Sequence, residues 1–188
     1  MPADITVRPL TPALRDTYLA YFDTEAFSDN PGWAGCYCCF PHADHASGRW
    51  GERSNEDNRY AASGLIESGT MRGYLAFFNE QPVGWCNANT RDRYTIFDSD
   101  DRDPASIGVI ACFVVAESQR GKGVARALLA AAVDGFRAHG LRTVEAYPLP
   151  EASSAKANHF GPLSMYLAAG FEIVGKEDQH LIVRKTLP

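Results

Sequence analysis

No apolar run in the 188 residues approaches the roughly 18 that a membrane-spanning helix needs. The opening Met1-Pro2-Ala3-Asp4 lacks the basic and apolar segments of a secretory signal. The chain also lacks a basic excess: 23 acids against 18 bases leave a net charge of −5. Readers of DNA and RNA need a positive footprint for the phosphate backbone, so neither nucleic acid nor a membrane is an expected partner. An even set of cysteines is missing too. Of the five, Cys36, Cys38 and Cys39 are crowded, while Cys86 and Cys112 sit in apolar runs. That pattern fits free thiols in a reducing compartment better than a disulfide framework, and the expected location is the cytoplasm. There is no repeat and no linker. With 45% hydrophobic and 22% charged residues the composition is ordinary for a globular protein, and the length suits one domain over 1–188.

Alternating and β-branched runs predict strands over Ile5–Leu10, Met71–Asn79, Val83–Thr90, Ile107–Val115, Thr143–Tyr147, Phe171–Gly175 and His180–Thr186. The unbroken apolar character of Ile107–Val115 marks it as a buried central strand. Helical spacing predicts helices from Pro12 to about Phe27, over Arg59–Ser68, over Gly121–His139 and over Leu163–Ala169. The third carries Val124, Leu128, Leu129, Ala132, Val133 and Phe136 as one stripe, with Gly140 closing it. An α+β domain of about seven strands and four helices follows. Residues 28–54 show no periodicity, and an irregular stretch of this length in a compact domain is usually functional.

Chemistry concentrates where the central strand runs through Ser118-Gln119-Arg120-Gly121-Lys122-Gly123 into the amphipathic helix. The N–H groups of a first helical turn, with the positive end of the helix dipole, form an anion site. Gly121 and Gly123 let an anion approach the backbone, while Arg120 and Lys122 add positive charge; a diphosphate suits such a device. The alternative is an ordinary glycine-containing helix start. A dinucleotide fingerprint would need a third glycine where Arg126 stands. The Gly170–Lys176 string has P-loop spacing, but Glu177 replaces the magnesium-holding hydroxyl and no helix pattern follows.

The segment Arg120-Gly121-Lys122-Gly123-Val124-Ala125 resembles the Q/R-x-x-G-x-G/A signature of the GNAT superfamily of acyl-CoA-dependent N-acyltransferases. Tyr166, four residues ahead of the Gly170-Phe171 pair, resembles a second mark of that family. The element order fits from residue 5 to the C-terminus. The resemblance implies a single GNAT-like domain whose mixed, largely antiparallel sheet is flanked by the helices. It also implies acetyl-CoA as donor cosubstrate and direct attack by an amine in a ternary complex. The backbones of Phe113, Val114 and Val115 would hold the pantetheine arm, and Arg120, Gly121, Lys122, Gly123, Val124 and Ala125 the pyrophosphate. Tyr166 would give a proton to the departing CoA sulfur.

Other residues stay open. Cys36, Cys38 and Cys39 with His42 and His45 are either a zinc site or thiols lining an acceptor pocket; C-x-C with H-x₂-H matches zinc spacing poorly, so no metal is expected. Asp98, Asp100, Asp101 and Asp103 are a solvated loop or a lure for a cationic acceptor. Glu145 is a strand-edge charge or a carboxylate near the reacting amine. The expected partners are a CoA thioester and a small amine, with a homodimer left open. Acetylation of a protein N-terminus or lysine, and a non-catalytic acyl-CoA sensor, are the alternatives.

Overall fold

A computed structural model describes residues 5–97, 103–151 and 158–188. One seven-stranded sheet runs in the order β1-β2-β3-β4-β5-β7-β6. Its strands are β1 (Ile5–Pro9), β2 (Gly73–Phe78), β3 (Gln81–Thr90), β4 (Ile107–Val115), β5 (Thr143–Ala146), β6 (Glu172–Glu177) and β7 (His180–Thr186). The helices are α1 (Arg15–Thr24), α2 (Asn55–Glu67), α3 (Val124–Ala138) and α4 (Leu163–Ala168). Every pairing is antiparallel except β4 with β5. Among the described residues no helix is long and apolar enough to cross a membrane.

Element boundaries move where local chemistry overrides periodicity. The β2–β3 connection uses only Asn79 and Glu80, at φ of 48° and 63°, so Gln81 and Pro82 join β3. Two left-handed residues give the turn whose twist suits a tight hairpin. Helix α2 starts at Asn55, ahead of the expected Arg59, because Ser54 and Asp57 form a capping box. The Ser54 hydroxyl accepts from Asp57 N at 3.1 Å, and the Asp57 carboxylate accepts from Ser54 N at 2.9 Å. Helix α3 starts at Val124 rather than Gly121, since Gly121 and Gly123 take φ of 74° and 90°, outside the helical region.

Two large cores sandwich the sheet, and a smaller cluster of Tyr94, Ile107, Val109, Ala111 and Tyr147 adjoins them. The α3 stripe is buried in full, packing on Ala76, Cys86, Ile110 and Val144 together with Tyr166 and Phe171. On the other face, α1 and α2 bury Tyr18, Tyr21, Phe22 and Ile66 against Leu75 and Trp85. The 28–54 stretch forms three short 3₁₀ turns, Pro31–Cys36, Phe40–His42 and Arg49–Glu52. It docks on this second core through buried Tyr37, Cys38 and Cys39.

The feature that opens a site is the parting of β4 from β5. Their parallel register runs from Ile107↔Thr143 to Ile110↔Ala146 and stops, whereas β4 continues to Val115. The register against β3 passes from Asn87↔Cys112 to Ala88↔Ile110, leaving Ala111 as a bulge at the point of parting. A bulge there re-aims the strand.

Candidate active site

The parted strands open into a cavity of about 920 Å³. One wall is regular: Ala111 to Val115 of β4, then Arg120, Gly121 and Gly123, then Val124, Ala125 and Arg126 on the first turn of α3. The opposite wall is the irregular stretch, through Trp33, Cys36, Cys38, Phe40, Trp50 and Arg53. His159 to Pro162 close a third side. The aromatics of the irregular stretch therefore serve as both its own packing and cavity wall. Phe40 packs at a tilt on His45 and edge-on against Trp50, at centroid distances of 4.4 and 5.1 Å, and Trp33 meets His159 edge-on at 5.5 Å.

The predicted cradle is brought together, with two differences. No side chain caps α3, and a Cβ placed on Gly121 or Gly123 would meet open space, so an anion can reach the backbone there. Lys122, however, is exposed and does not line the cavity. The Arg120 guanidinium is already engaged: Nε donates to the Val115 carbonyl at 3.1 Å, and both terminal nitrogens donate to Asp29, at 2.5 and 2.9 Å. Arg126, weighed in the sequence only as the place of a missing glycine, supplies cationic charge on the cavity wall. On β4, the Phe113 N–H donates to the His159 carbonyl at 2.6 Å, so this backbone donor is occupied by the closing segment.

Tyr166 is fully buried between Phe113 and Phe171, with ring centroids at 6.5 and 5.2 Å. Its hydroxyl donates to the Phe160 carbonyl at 2.6 Å, and burial holds its pKa well above that of a free phenol. Phe160 and Met165 line the cavity, while Tyr166 stands behind them.

Glu145 is placed elsewhere. It is fully buried, outside the cavity lining, and both its oxygens are taken. Arg91 donates to one at 2.8 Å and the Tyr147 hydroxyl to the same oxygen at 3.0 Å; Arg184 donates to the other at 2.9 and 2.6 Å. This carboxylate joins β5 to β7 and to the end of β3. Of the aspartates, Asp98, Asp100 and Asp101 lie outside the described residues, and Asp103 caps a short turn by accepting from Ala105 N at 3.1 Å.

The cysteine-rich wall is pinned from three elements. Tyr18 of α1 donates to the Tyr37 carbonyl at 3.0 Å, and the Tyr37 hydroxyl donates to Asp23 at 2.6 Å. Asn58 of α2 accepts a thiol contact from Cys39 at 3.3 Å through its carbonyl and donates to the Gly35 carbonyl at 2.8 Å. Asn87 of β3 reaches the Cys38 sulfur at 3.3 Å. Burial pushes the Cys36 thiol up to about 11 and holds the His42 imidazole below its ordinary value. All five cysteines are free, and among the described residues no group of three or more His, Cys, Asp or Glu is arranged to hold a metal ion.

Comparison with known proteins places this architecture. The chain resembles, at 15% identity over 98% of its length and 99% of the other's, the PaiA N-acetyltransferase of Thermoplasma acidophilum crystallised with coenzyme A, with a TM-score of 0.58. It resembles the aminoglycoside acetyltransferase AAC(6')-Ib crystallised with coenzyme A at 17% identity, covering 97% and 95% of the two chains, TM-score 0.59. The ribosomal-protein-alanine N-acetyltransferase of Brucella melitensis matches at 17% identity over 97% and 99%, TM-score 0.54. At these identities the likeness shows the fold. No curated protein matches the sequence. The model of the acetyltransferase (GNAT) family matches residues 33–160, which takes in the irregular wall, the parted strand and the α3 turn. The chain belongs to the acetyltransferase (GNAT) family.

Proposed function

We propose that the protein transfers an acetyl group from acetyl-CoA to an amine of a small molecule, the amine nitrogen attacking the thioester carbonyl within a ternary complex. One observation carries this reading: β4 parts from β5 beside the uncapped start of α3, and both edges face one cavity of about 920 Å³. Two of the structures it resembles hold coenzyme A, which supports the same donor here. The pyrophosphate would lie against the N–H groups of the α3 turn, with Gly121 and Gly123 giving access and Arg126 adding charge. The pantetheine arm would follow Phe113, Val114 and Val115.

Work by the protein is then positioning, polarising the carbonyl and moving protons. Tyr166 is the proposed donor to the departing sulfur. To serve, its hydroxyl must give up the Phe160 carbonyl, so proton delivery is tied to a small movement of the closing segment. The irregular stretch walls the cavity opposite β4, and an acceptor held between these walls would be a compact amine rather than a long polypeptide.

The test is CoA release across a panel of small amines and N-terminal peptides, with affinity for CoA and for pantetheine measured alongside. The expected result is turnover with a small amine and a preference for CoA over pantetheine that Gly123→Asp removes. Equal affinity for CoA and pantetheine in the parent protein would refute the cradle, and turnover only with peptides would move the acceptor to protein.

A further inference from the structure

Three arginines line the cavity, and one of them has no assigned work. Arg120 is spent on Asp29. Arg126, on the first turn of α3, lies where the diphosphate is proposed. Arg53 stands on the irregular wall opposite, between the Arg49–Glu52 turn and α2, and no carboxylate pairs with it among the described residues. A half-buried cation in that place calls for an anion of its own.

Its guanidinium is aimed by neutral groups. Nε donates to Asn58 Oδ1 at 2.5 Å and Nη2 to the Asp57 backbone carbonyl at 3.3 Å, while the Trp50 ring centroid lies 5.9 Å away. Asn58 is buried and fixed in turn, donating to the Gly35 carbonyl at 2.8 Å. Among the described residues Nη1 makes no hydrogen bond, so that end of the fork is open to a ligand. The location is a costly one for a cation. Arg53 directly precedes the Ser54 cap, at the positive end of the 13-residue α2. Asp57 feels its charge, but that carboxylate is turned to the cap, accepting from Ser54 N at 2.9 Å and Oγ at 2.7 Å.

Beside the charge lies an apolar face. Phe40 is 41% exposed, and among the described residues it is the one exposed large hydrophobic side chain on the cavity wall. It packs edge-on against the same Trp50. Acid, by contrast, is scarce: Asp29 is the one carboxylate among the described lining residues, and Arg120 holds both its oxygens. A polycationic acceptor would find no free negative charge on these walls.

We propose that the acceptor is an amino acid with an apolar side chain, its carboxylate paired with Arg53 and its side chain lying on Phe40 and Trp50. The guanidinium fork matches a carboxylate in shape as well as charge, so it orients the ligand as it binds it. With the acid and apolar ends engaged on this wall, the amine is the group left to meet the thioester. Its nitrogen forms the N–C bond and the C–S bond to CoA breaks; the nitrogen loses one proton and the CoA sulfur takes one up. The inference rests on the acetyl-transfer reading for the reaction, and not for the existence of the carboxylate site.

The experiment compares acceptors that differ only in the carboxylate: phenylalanine against phenethylamine, and leucine against 3-methylbutylamine, with spermidine as a polycation. CoA release by the full chain gives kcat/KM for each, and calorimetry without CoA reads phenylalanine binding directly. Each amino acid should exceed its carboxylate-free partner at least about tenfold in kcat/KM, the scale of one charge-assisted hydrogen bond. That ratio should collapse in Arg53→Gln and be kept in part by Arg53→Lys; a merely structural arginine would move both members of a pair together. Preference of the parent protein for the carboxylate-free amines or spermidine, or a ratio unmoved in folded Arg53→Gln, overturns the proposal. So does an Arg53→Gln variant that loses affinity for CoA alone, which would give the arginine to the donor's phosphates. If no acceptor turns over, the acetyl-transfer reading falls. Phenylalanine binding that weakens about tenfold in Arg53→Gln then sustains the site, and absence of binding overturns it.

Discussion

The two long walls of the cavity are built by opposite means. The β4–α3 wall is a strand, a turn and a helix contiguous in sequence, and the proposed anion site there would use backbone groups that any strand-to-helix junction exposes. The 29–53 wall has no regular structure beyond short 3₁₀ turns. Its geometry depends on hydrogen bonds from α1, α2 and β3, each distant in sequence. The first wall carries generic chemistry that suits a cosubstrate. The second carries side-chain chemistry, and it is where acceptor choice would be set. Backbone sites tolerate side-chain change except at glycine; side-chain sites depend on every partner.

The largest effect is expected in the sheet that supports both walls. Glu145→Ala removes the buried carboxylate that accepts from both Arg91 and Arg184, and breaking such a buried pair costs about 3–5 kcal/mol. The melting temperature should fall sharply while CoA affinity per folded molecule stays constant. A stable variant that loses only turnover would return Glu145 to the chemistry. Next, Tyr166→Phe removes a hydroxyl while keeping the ring packed. If Tyr166 delivers the proton, kcat falls by roughly 10²-fold with CoA affinity nearly unchanged. Parental kcat would leave the hydroxyl as an anchor for Phe160 alone.

On the regular wall, Gly123→Asp places a side chain and a negative charge at a φ of 90° in the open cradle. CoA affinity should fall at least about tenfold, which is 1.4 kcal/mol, with pantetheine affected far less. Titration calorimetry with both ligands checks this. On the irregular wall the contrast is tested by acid. His42 has its pKa lowered by burial, so it binds fewer protons folded than unfolded. Its share of stability is fully present above the unfolded value near 6.5, and is lost as pH falls toward and through the lower folded value. Amide exchange in 37–45 should quicken between neutral pH and about pH 5, whereas exchange in β4 and α3 should respond little. Uniform quickening across the chain would break the comparison.

The smallest effect is at the bridge between the walls. Asp29 pairs with Arg120 at the surface, where an ion pair is worth about 0–1 kcal/mol, so Asp29→Asn should leave the melting temperature almost unchanged. Releasing the guanidinium should instead raise CoA affinity a few-fold and steepen its dependence on salt. Unchanged affinity would show that Arg120 serves only to tie the irregular wall to the turn.

Most of the regular wall was legible before folding. The apolar run predicts β4 with the bounds observed, Ile107–Val115, and the α3 stripe is buried residue for residue. Arg120 was read for its charge, but nothing near it in the chain announces Asp29. Glu145 looked available because the alternation of β5 gives its side without giving what lies there. Arg126 escaped notice because it stood in a motif position reserved for glycine. On the irregular wall, the crowding of Cys36, Cys38 and Cys39 signalled something unusual; that burial raises Cys36 and Cys39 while the Asn87 amide reaches the Cys38 sulfur needed the tertiary packing.

By itself the sequence determined the elements, the family signature and the place of the proposed anion site, since hydrophobic period, glycine and helix start are local and act within a few residues. The tertiary structure alone decided which charges are spent and which sulfur meets an amide donor. Arg120 meets Asp29, Glu145 meets Arg91 and Arg184, and Cys38 meets Asn87 only when strands and loops far apart in sequence are packed together. Burial then removes the water that would otherwise have served each of them equally.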